Sequence, residues 1–191
     1  MNPACEDAAI SESRRFVLPA GPFASWGSRP GERERALPCD AHIDDPDHVL
    51  LRAIEVDAPA ETLFRWLCQL RAAPYSYDWL DNRGRRSPRM LTPGLDELEA
   101  GQRFMTIFRL AEFEPGRSIT VKHNGPLFGR VVGTYEVTST GPQTSRLFVR
   151  LLVRYAHGPA ARALASLVLP AGDLVMMSKQ LRTLRDCAAA T

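Results

Sequence analysis

The chain has 191 residues, 45% of them hydrophobic, 24% charged and 8% aromatic. That length suits one domain able to bury about 70% of its unfolded surface without disulfide or metal staples, and the apolar fraction excludes a disordered chain. Twenty-four basic and 22 acidic residues leave a formal charge of +2, which gives no sign of a nucleic-acid or membrane field across the whole molecule.

Cys5, Cys39, Cys68 and Cys187 are far apart and form no C-x-x-C pair, so they read as reduced packing thiols of a cytoplasmic protein. Ser13-Arg14-Arg15-Phe16-Val17-Leu18 has the look of a twin-arginine export signal, but Pro19, Gly21 and Pro22 break the uncharged run that follows. No stretch reaches the ~20 apolar residues of a membrane span. The expectation is a soluble protein with no membrane insertion.

Residues 1–47 are rich in Pro, Gly, Ala and charge and carry no period. They read as a partly ordered tail draped over a domain at 48–191, with Phe16, Phe23 and Trp26 as anchors. Regular structure is expected from His48, where the aliphatic run to Val56 predicts a strand. Pro59 suits the first turn of a helix whose Leu63, Trp66, Leu67 and Leu70 share one face. Pro74 ends it and opens a second, short helix from Tyr75 to Asp81, stopped near Asn82 and Gly84.

From about Gly101 the period becomes two. Residues 103–113 are strand-like with both faces apolar. Ile119, Val121 and His123 share a face in the next strand, as do Val131, Gly133, Tyr135 and Val137, and then Leu147, Val149, Leu151, Val153 and Tyr155. Turn signals at Glu114-Pro115-Gly116, Asn124-Gly125-Pro126 and Thr140-Gly141-Pro142 join them into an antiparallel meander with one wet face. Helix returns over about 160–169, is interrupted by Pro170-Ala171-Gly172, and restarts at Asp173 as N-cap to run to about Cys187. Leu174, Met177, Leu181 and Leu184 form its apolar stripe, with Lys179, Arg182 and Arg185 on the polar side.

This order, β-α-α-β(n)-α, is that of an α+β helix-grip fold, in which a curved antiparallel sheet wraps a long C-terminal helix and two short helices close one end. Ile54-Glu55-Val56-Asp57-Ala58-Pro59-Ala60-Glu61-Thr62-Leu63-Phe64 resembles the corresponding stretch of the START-like, polyketide-cyclase-like (SRPBCC) superfamily. Residues 75–88, Ala36-Leu37-Pro38-Cys39-Asp40 and Leu169 to Met177 resemble an actinobacterial branch of it. The resemblance covers about residues 25–188. It implies the fold and a cavity between sheet and helix, and supplies no catalytic motif.

A cavity of that kind is the default place for a ligand. Tyr75, Tyr77, Asp78 and Trp79 crowd a short helix at its mouth, where they either stack on a planar ligand or plug the end of the barrel. His123 and Tyr135 are polar heads on apolar strand faces and the candidate catalytic residues, His123 as acid or base and Tyr135 as donor to a carbonyl, against a purely structural hydrogen-bonding role. With Trp66, Phe108, Met177 and Leu181 these make the expected ligand wall, although methionines are more often core filler. Arg83, Arg85, Arg86 and Arg89 can bind phosphate or pair, in a solvated loop, with Asp78, Asp81 or Asp96. Cys39, Asp40, His42, Asp44, Asp45, Asp47 and His48 lack metal-ligand spacing and read as a polar linker. No phosphate loop, nucleophile elbow or dinucleotide fingerprint is present, so no cofactor, metal or nucleic acid is expected.

The expected function is the binding of a small hydrophobic or aromatic molecule by a monomer or homodimer. The alternatives are a polyketide cyclase/aromatase-like enzyme and a protein-interaction or accessory module.

Overall fold

Regular structure begins at Ser25, ahead of His48, where the sequence predicts the first strand. The computed structural model describes residues 21, 23–126, 129–155 and 158–191, so Phe16 and the twin-arginine stretch lie outside the described residues. In chain order the elements are β1 (Ser25–Trp26), α1 (Pro30–Arg33), a 3-10 turn (Pro38–Ala41), β2 (His48–Val56), α2 (Ala60–Cys68) and α3 (Asp78–Asp81). Then come β3 (Arg103–Phe104), β4 (Phe108–Glu114), β5 (Ser118–Gly125), β6 (Gly129–Gly141), β7 (Thr144–Arg154) and α4 (Pro159–Ala189).

The strands form one curved, open sheet in the order β1-β2-β7-β6-β5-β4-β3, antiparallel except where β1 joins β2 in parallel. This is the α+β helix-grip arrangement expected from the sequence, a curved sheet against the long α4. Its register explains the alternation in the sequence. Arg52 faces Val149, Val149 faces Tyr135 and Tyr135 faces Ile119, so these four share one side of the pleat with Leu50, Leu151, Gly133 and Val121. Most of that side packs, with Leu63, Trp66 and Leu67 of α2, against Met177, Leu181 and Leu184 of α4 as the main core. The apolar residues of the three strand faces and Met177, Leu181 and Leu184 of the α4 stripe fall where expected, whereas Leu174 is half-buried outside the main core.

The opposite side of the sheet is also covered. Val49, Leu51 and Ala53 of β2, Val132, Phe148 and Leu152 form a second apolar cluster under Leu37, Cys39 and Ile43. The segment preceding β2 is stapled there by charge: Arg150 Nη1 donates to Asp40 Oδ2 at 2.7 Å, and Arg146 pairs with Glu32. Cys39 N–H donates to Thr134 Oγ1 at 3.0 Å. Ala24 is buried, and its carbonyl accepts Leu51 N–H at 2.7 Å.

Two expected helices are corrected. Pro170 does not divide the terminal helix; α4 runs unbroken from Pro159 to Ala189 with Pro170 inside it. Proline removes one backbone bond and strains the preceding turn, at about 3 kcal/mol, but Pro170 is buried and the long apolar stripe beyond it offsets that cost. Asp173 is therefore an interior residue of the helix rather than its cap. The short helix begins at Asp78 and not at Tyr75, because Tyr75 sits in the left-handed region at φ 56°. Residues 103–113 likewise split into β3 and β4, because Met105 and Thr106 have φ of 43° and 69°.

Candidate functional site

A 3-10 turn, Gln69–Arg71, continues α2, and just beyond Pro74 the chain takes, at Tyr75, a conformation that aromatic side chains rarely adopt. The turn carries the Tyr75 ring inward, to 1% exposure, where it stands edge-on to Trp66 with centroids 6.0 Å apart and planes at 86°. Trp66 is itself fixed by its Nε1–H, which donates to Thr191 Oγ1 at 3.0 Å. The Tyr75 hydroxyl is buried and, among the described residues, has no hydrogen-bond partner. Burial pushes its pKa well up, the Cys187 thiol adds to the effect, and Arg89 opposes it. Arg89 Nη1 lies 3.7 Å from the Cys187 sulfur, on the same flank of α4.

A second phenol lies deeper. Tyr135, on the inner face of β6, donates from its hydroxyl to Gln180 Oε1 at 2.8 Å. Gln180 in turn donates through Nε2 to the Pro74 carbonyl at 2.6 Å. Two thioethers complete the surroundings, Met105 Sδ at 3.5 Å and Met177 Sδ at 3.6 Å from the Tyr135 oxygen. Burial raises the Tyr135 pKa far above its ordinary value, with the Asp173 carboxylate contributing. Both phenols are thus protonated at neutral pH. Tyr75 has its O–H left to donate to a ligand oxygen, whereas the single O–H of Tyr135 is held by Gln180, and neither phenol is a base.

The backbone around these groups is strained. Among the described residues the four non-glycine positions with positive φ are Tyr75, Arg83, Met105 and Thr106, all in the two segments that close this end of the grip. The segments touch where Thr106 Oγ1 donates to the Asp81 carbonyl at 3.2 Å. Strain of this kind persists only where the surroundings hold it, and it collects at sites that bind or move.

Of the residues expected at the site, Trp66, Tyr75, Tyr135, Met177 and Leu181 are buried together in the main core. Tyr77 is half-buried. Trp79 is not in the interior: it stands 74% exposed. Asp78, one residue earlier, turns back to accept Ser87 N–H and Oγ–H at 2.9 and 2.5 Å, which fixes α3 with its apolar side chains outward. Phe108, partly buried against the main core, pairs across β4 and β5 with His123, ring centroids 5.7 Å apart, with His123 Nδ1 3.0 Å from the Ile107 carbonyl oxygen. The acids and histidine that crowd residues 40–47 fasten the covering segment: Asp40 accepts Leu37 N–H, His42 Nε2 is 2.8 Å from Glu112 Oε1, and Asp47 Oδ2 accepts Tyr155 N–H. Burial pushes the Cys39 thiol up to about 12, so it is inert.

Gln180, Met105, Arg52 and Asp173 were not among the expected site residues. Arg52, 0% exposed on the inner face of β2, donates to Asp173 Oδ2 at 2.7 Å and to the Ala24 and Leu51 carbonyls. Two of these carried a signal: Gln180 interrupts the stripe between Met177 and Leu181, and Arg52 interrupts the face of Leu50 and Ile54.

No family model matches the chain, and no curated protein matches it. Solved structures do. An aromatase/cyclase, Zhui, from Streptomyces sp. R1128 is 15% identical over 74% of this chain and 93% of its own, with a TM-score of 0.48. A START superfamily protein from Mycobacterium smegmatis is 19% identical over 73% of this chain and 97% of its own, at 0.44. The di-domain aromatase/cyclase BexL of the BE-7585A biosynthetic pathway is 16% identical over 73% of this chain and 45% of its own, at 0.46.

Proposed function

We propose that this chain binds a small, largely apolar molecule bearing a hydrogen-bond acceptor, held between the sheet and α4 beside Tyr75, Tyr135 and Gln180. The observation that carries this reading is the Tyr75 hydroxyl, buried, protonated and without a partner at the edge of an aromatic pair. A buried donor left unmade costs about 1–3 kcal/mol, and a carbonyl or ether oxygen of a ligand recovers it. Trp66 supplies an aromatic edge, Met105 and Met177 an adaptable apolar lining. One proton donor, Tyr75, without an adjacent base suits binding a carbonyl rather than removing a proton.

The test is a matched pair of probes, 2-acetylnaphthalene and 2-ethylnaphthalene, titrated while tryptophan fluorescence is followed. The acetyl compound should bind in the micromolar range, about −8 kcal/mol. It should be preferred roughly five- to tenfold, the difference one net hydrogen bond makes. Tyr75→Phe should abolish the preference and leave the ethyl compound bound as before. Equal binding of both probes to the native chain, or a preference that survives Tyr75→Phe, rejects the reading.

A further inference from the structure

The segment from Asp78 to Ser87 forms one tight unit outside the core. Gly84 N–H donates to the Asp78 carbonyl at 2.8 Å, Arg85 N–H to the Asn82 carbonyl at 3.0 Å, and Asp78 holds Ser87. This folds Arg83, Arg85 and Arg86 back around the end of α3. All three are exposed, and among the described residues none forms an ion pair, with Asp78, Asp81, Asp96 or any other carboxylate. The same unit presents Trp79 at 74% and Leu80 at 57% exposure, and the Thr106–Asp81 bond brings Ile107, 46% exposed, alongside.

From this juxtaposition we infer that the α3 unit is a peripheral docking surface for an anionic lipid membrane. Adjacent exposed Trp and Leu on a short turn can enter the headgroup region, where tryptophan is favoured, while the three guanidiniums that follow them in the chain, without an ion pair among the described residues, meet lipid phosphates in bidentate contacts. The charge is local, since the whole chain carries only +2. A polyanion such as RNA would use the arginines and leave the apolar side chains in water. A folded protein partner calls for a broad complementary face, which a four-residue helix does not offer. Among the described residues no helix is long and apolar enough to cross a membrane, so the contact lies in the interface plane. The exposed side chains of this surface are not those of the buried Tyr75, Tyr135 and Gln180 set, and this inference does not depend on the ligand reading.

The test is co-flotation of the full chain with vesicles of phosphatidylcholine alone and of phosphatidylcholine with one quarter phosphatidylglycerol. Binding should be confined to the anionic vesicles, weaken as salt is raised, and shift the emission of Trp79 to the blue in the native chain but not in Trp79→Phe. The triple change Arg83→Gln, Arg85→Gln and Arg86→Gln should weaken binding on the order of a hundredfold, since each basic residue near such a surface contributes severalfold. Trp79→Ala should weaken it about tenfold or more, with unchanged melting temperature because every altered side chain is exposed. Failure to float with the anionic vesicles, equal flotation with neutral ones, indifference to Trp79→Ala, or retention by an oligonucleotide or heparin in place of vesicles overturns the inference.

Discussion

Arg52 and Asp173 join the inner face of the sheet to the third residue past Pro170, guanidinium to carboxylate across 2.7 Å. The guanidinium is wholly buried, so its need for an acceptor is strict. Asp173→Leu, which takes the acceptor away, should cost roughly 3 kcal/mol in urea unfolding. Asp173→Asn keeps an oxygen for Arg52 and should be close to neutral at pH 7. Equal losses in the two variants would show that the carboxylate charge, not the hydrogen bond, matters to Arg52.

The same pair sets a dependence on pH. Burial holds the Asp173 carboxyl up at about 6, above its ordinary value of 3.8, with Arg52 pulling it down. A carboxyl raised in this way holds its proton more tightly in the folded chain. Its stabilising contribution is complete below the unfolded value and is lost as the pH rises through the folded one. The side chain keeps 21% exposure, which moderates the effect. Relative to Asp173→Asn, the native chain should lose on the order of 2 kcal/mol between pH 4 and pH 7, read from paired melting curves. A gain over that interval would mean that attraction to Arg52 outweighs burial.

What the sequence discloses and what it hides follow from how many residues carry each signal. The faces of β5, β6 and β7 are read from alternation repeated over many positions, and no single residue spoils it. The α4 stripe is recognised in the same way. Pro170 is one residue with a strong local meaning, and tertiary packing overrides it. Asp173 has the chemistry of a cap and equally that of a counter-ion; only the position of Arg52 decides. The four residues of α3 are too few to show a helical phase, so nothing in them says that Trp79 faces outward. The cover over Leu51 and Phe148 is made of a short helix and a 3-10 turn, which leave no period to find. Of the interior polar groups, Tyr135 is visible by its strand face, whereas the left-handed turn at Tyr75 has no signature in a non-glycine residue.

Gly27 is a position where the backbone demands glycine. Its φ is +73°, and a Cβ there would fall 2.1 Å from the Ala53 carbonyl oxygen, where β1 meets β2. Its own carbonyl accepts Arg146 Nη2 at 2.8 Å. Gly27→Ala should therefore destabilise by about 2–4 kcal/mol, with both strain and clash contributing. Gly84→Ala, also at positive φ but with open space around it, should cost less than Gly27→Ala. Identical melting temperatures for the two variants would deny the close approach of β1 to β2.

The phase of α4 can be tested at neighbouring positions. Leu181 is fully buried in the main core, whereas Arg182 is exposed with its guanidinium 5.3 Å from the centroid of the Trp26 ring. Leu181→Asp should cost on the order of 3–5 kcal/mol and leave little folded protein. Arg182→Asp should fold, losing about 0.5–1 kcal/mol with the cation–π contact. Similar circular dichroism melts for both would put the helix in a different rotation.

The interior hydrogen bonds around Gln180 make a linked set, and a double-mutant cycle separates them. Gln180→Leu fits the apolar stripe but strands two buried groups, the Tyr135 hydroxyl and the Pro74 carbonyl, and should cost about 2–4 kcal/mol. Tyr135→Phe removes one donor and leaves Gln180 Oε1 unpaired, at about 1–2 kcal/mol. With both changes the Tyr135–Gln180 pair disappears on both sides, and the loss should fall short of the sum by about 1 kcal/mol or more. The residue of that loss belongs to the Pro74 carbonyl, which ties the strained turn at Tyr75 to α4. Proteolysis should therefore cut the 74–87 segment faster in Gln180→Leu than in Tyr135→Phe. Strict additivity of the two changes would show that the hydroxyl and the amide are not bonded to each other.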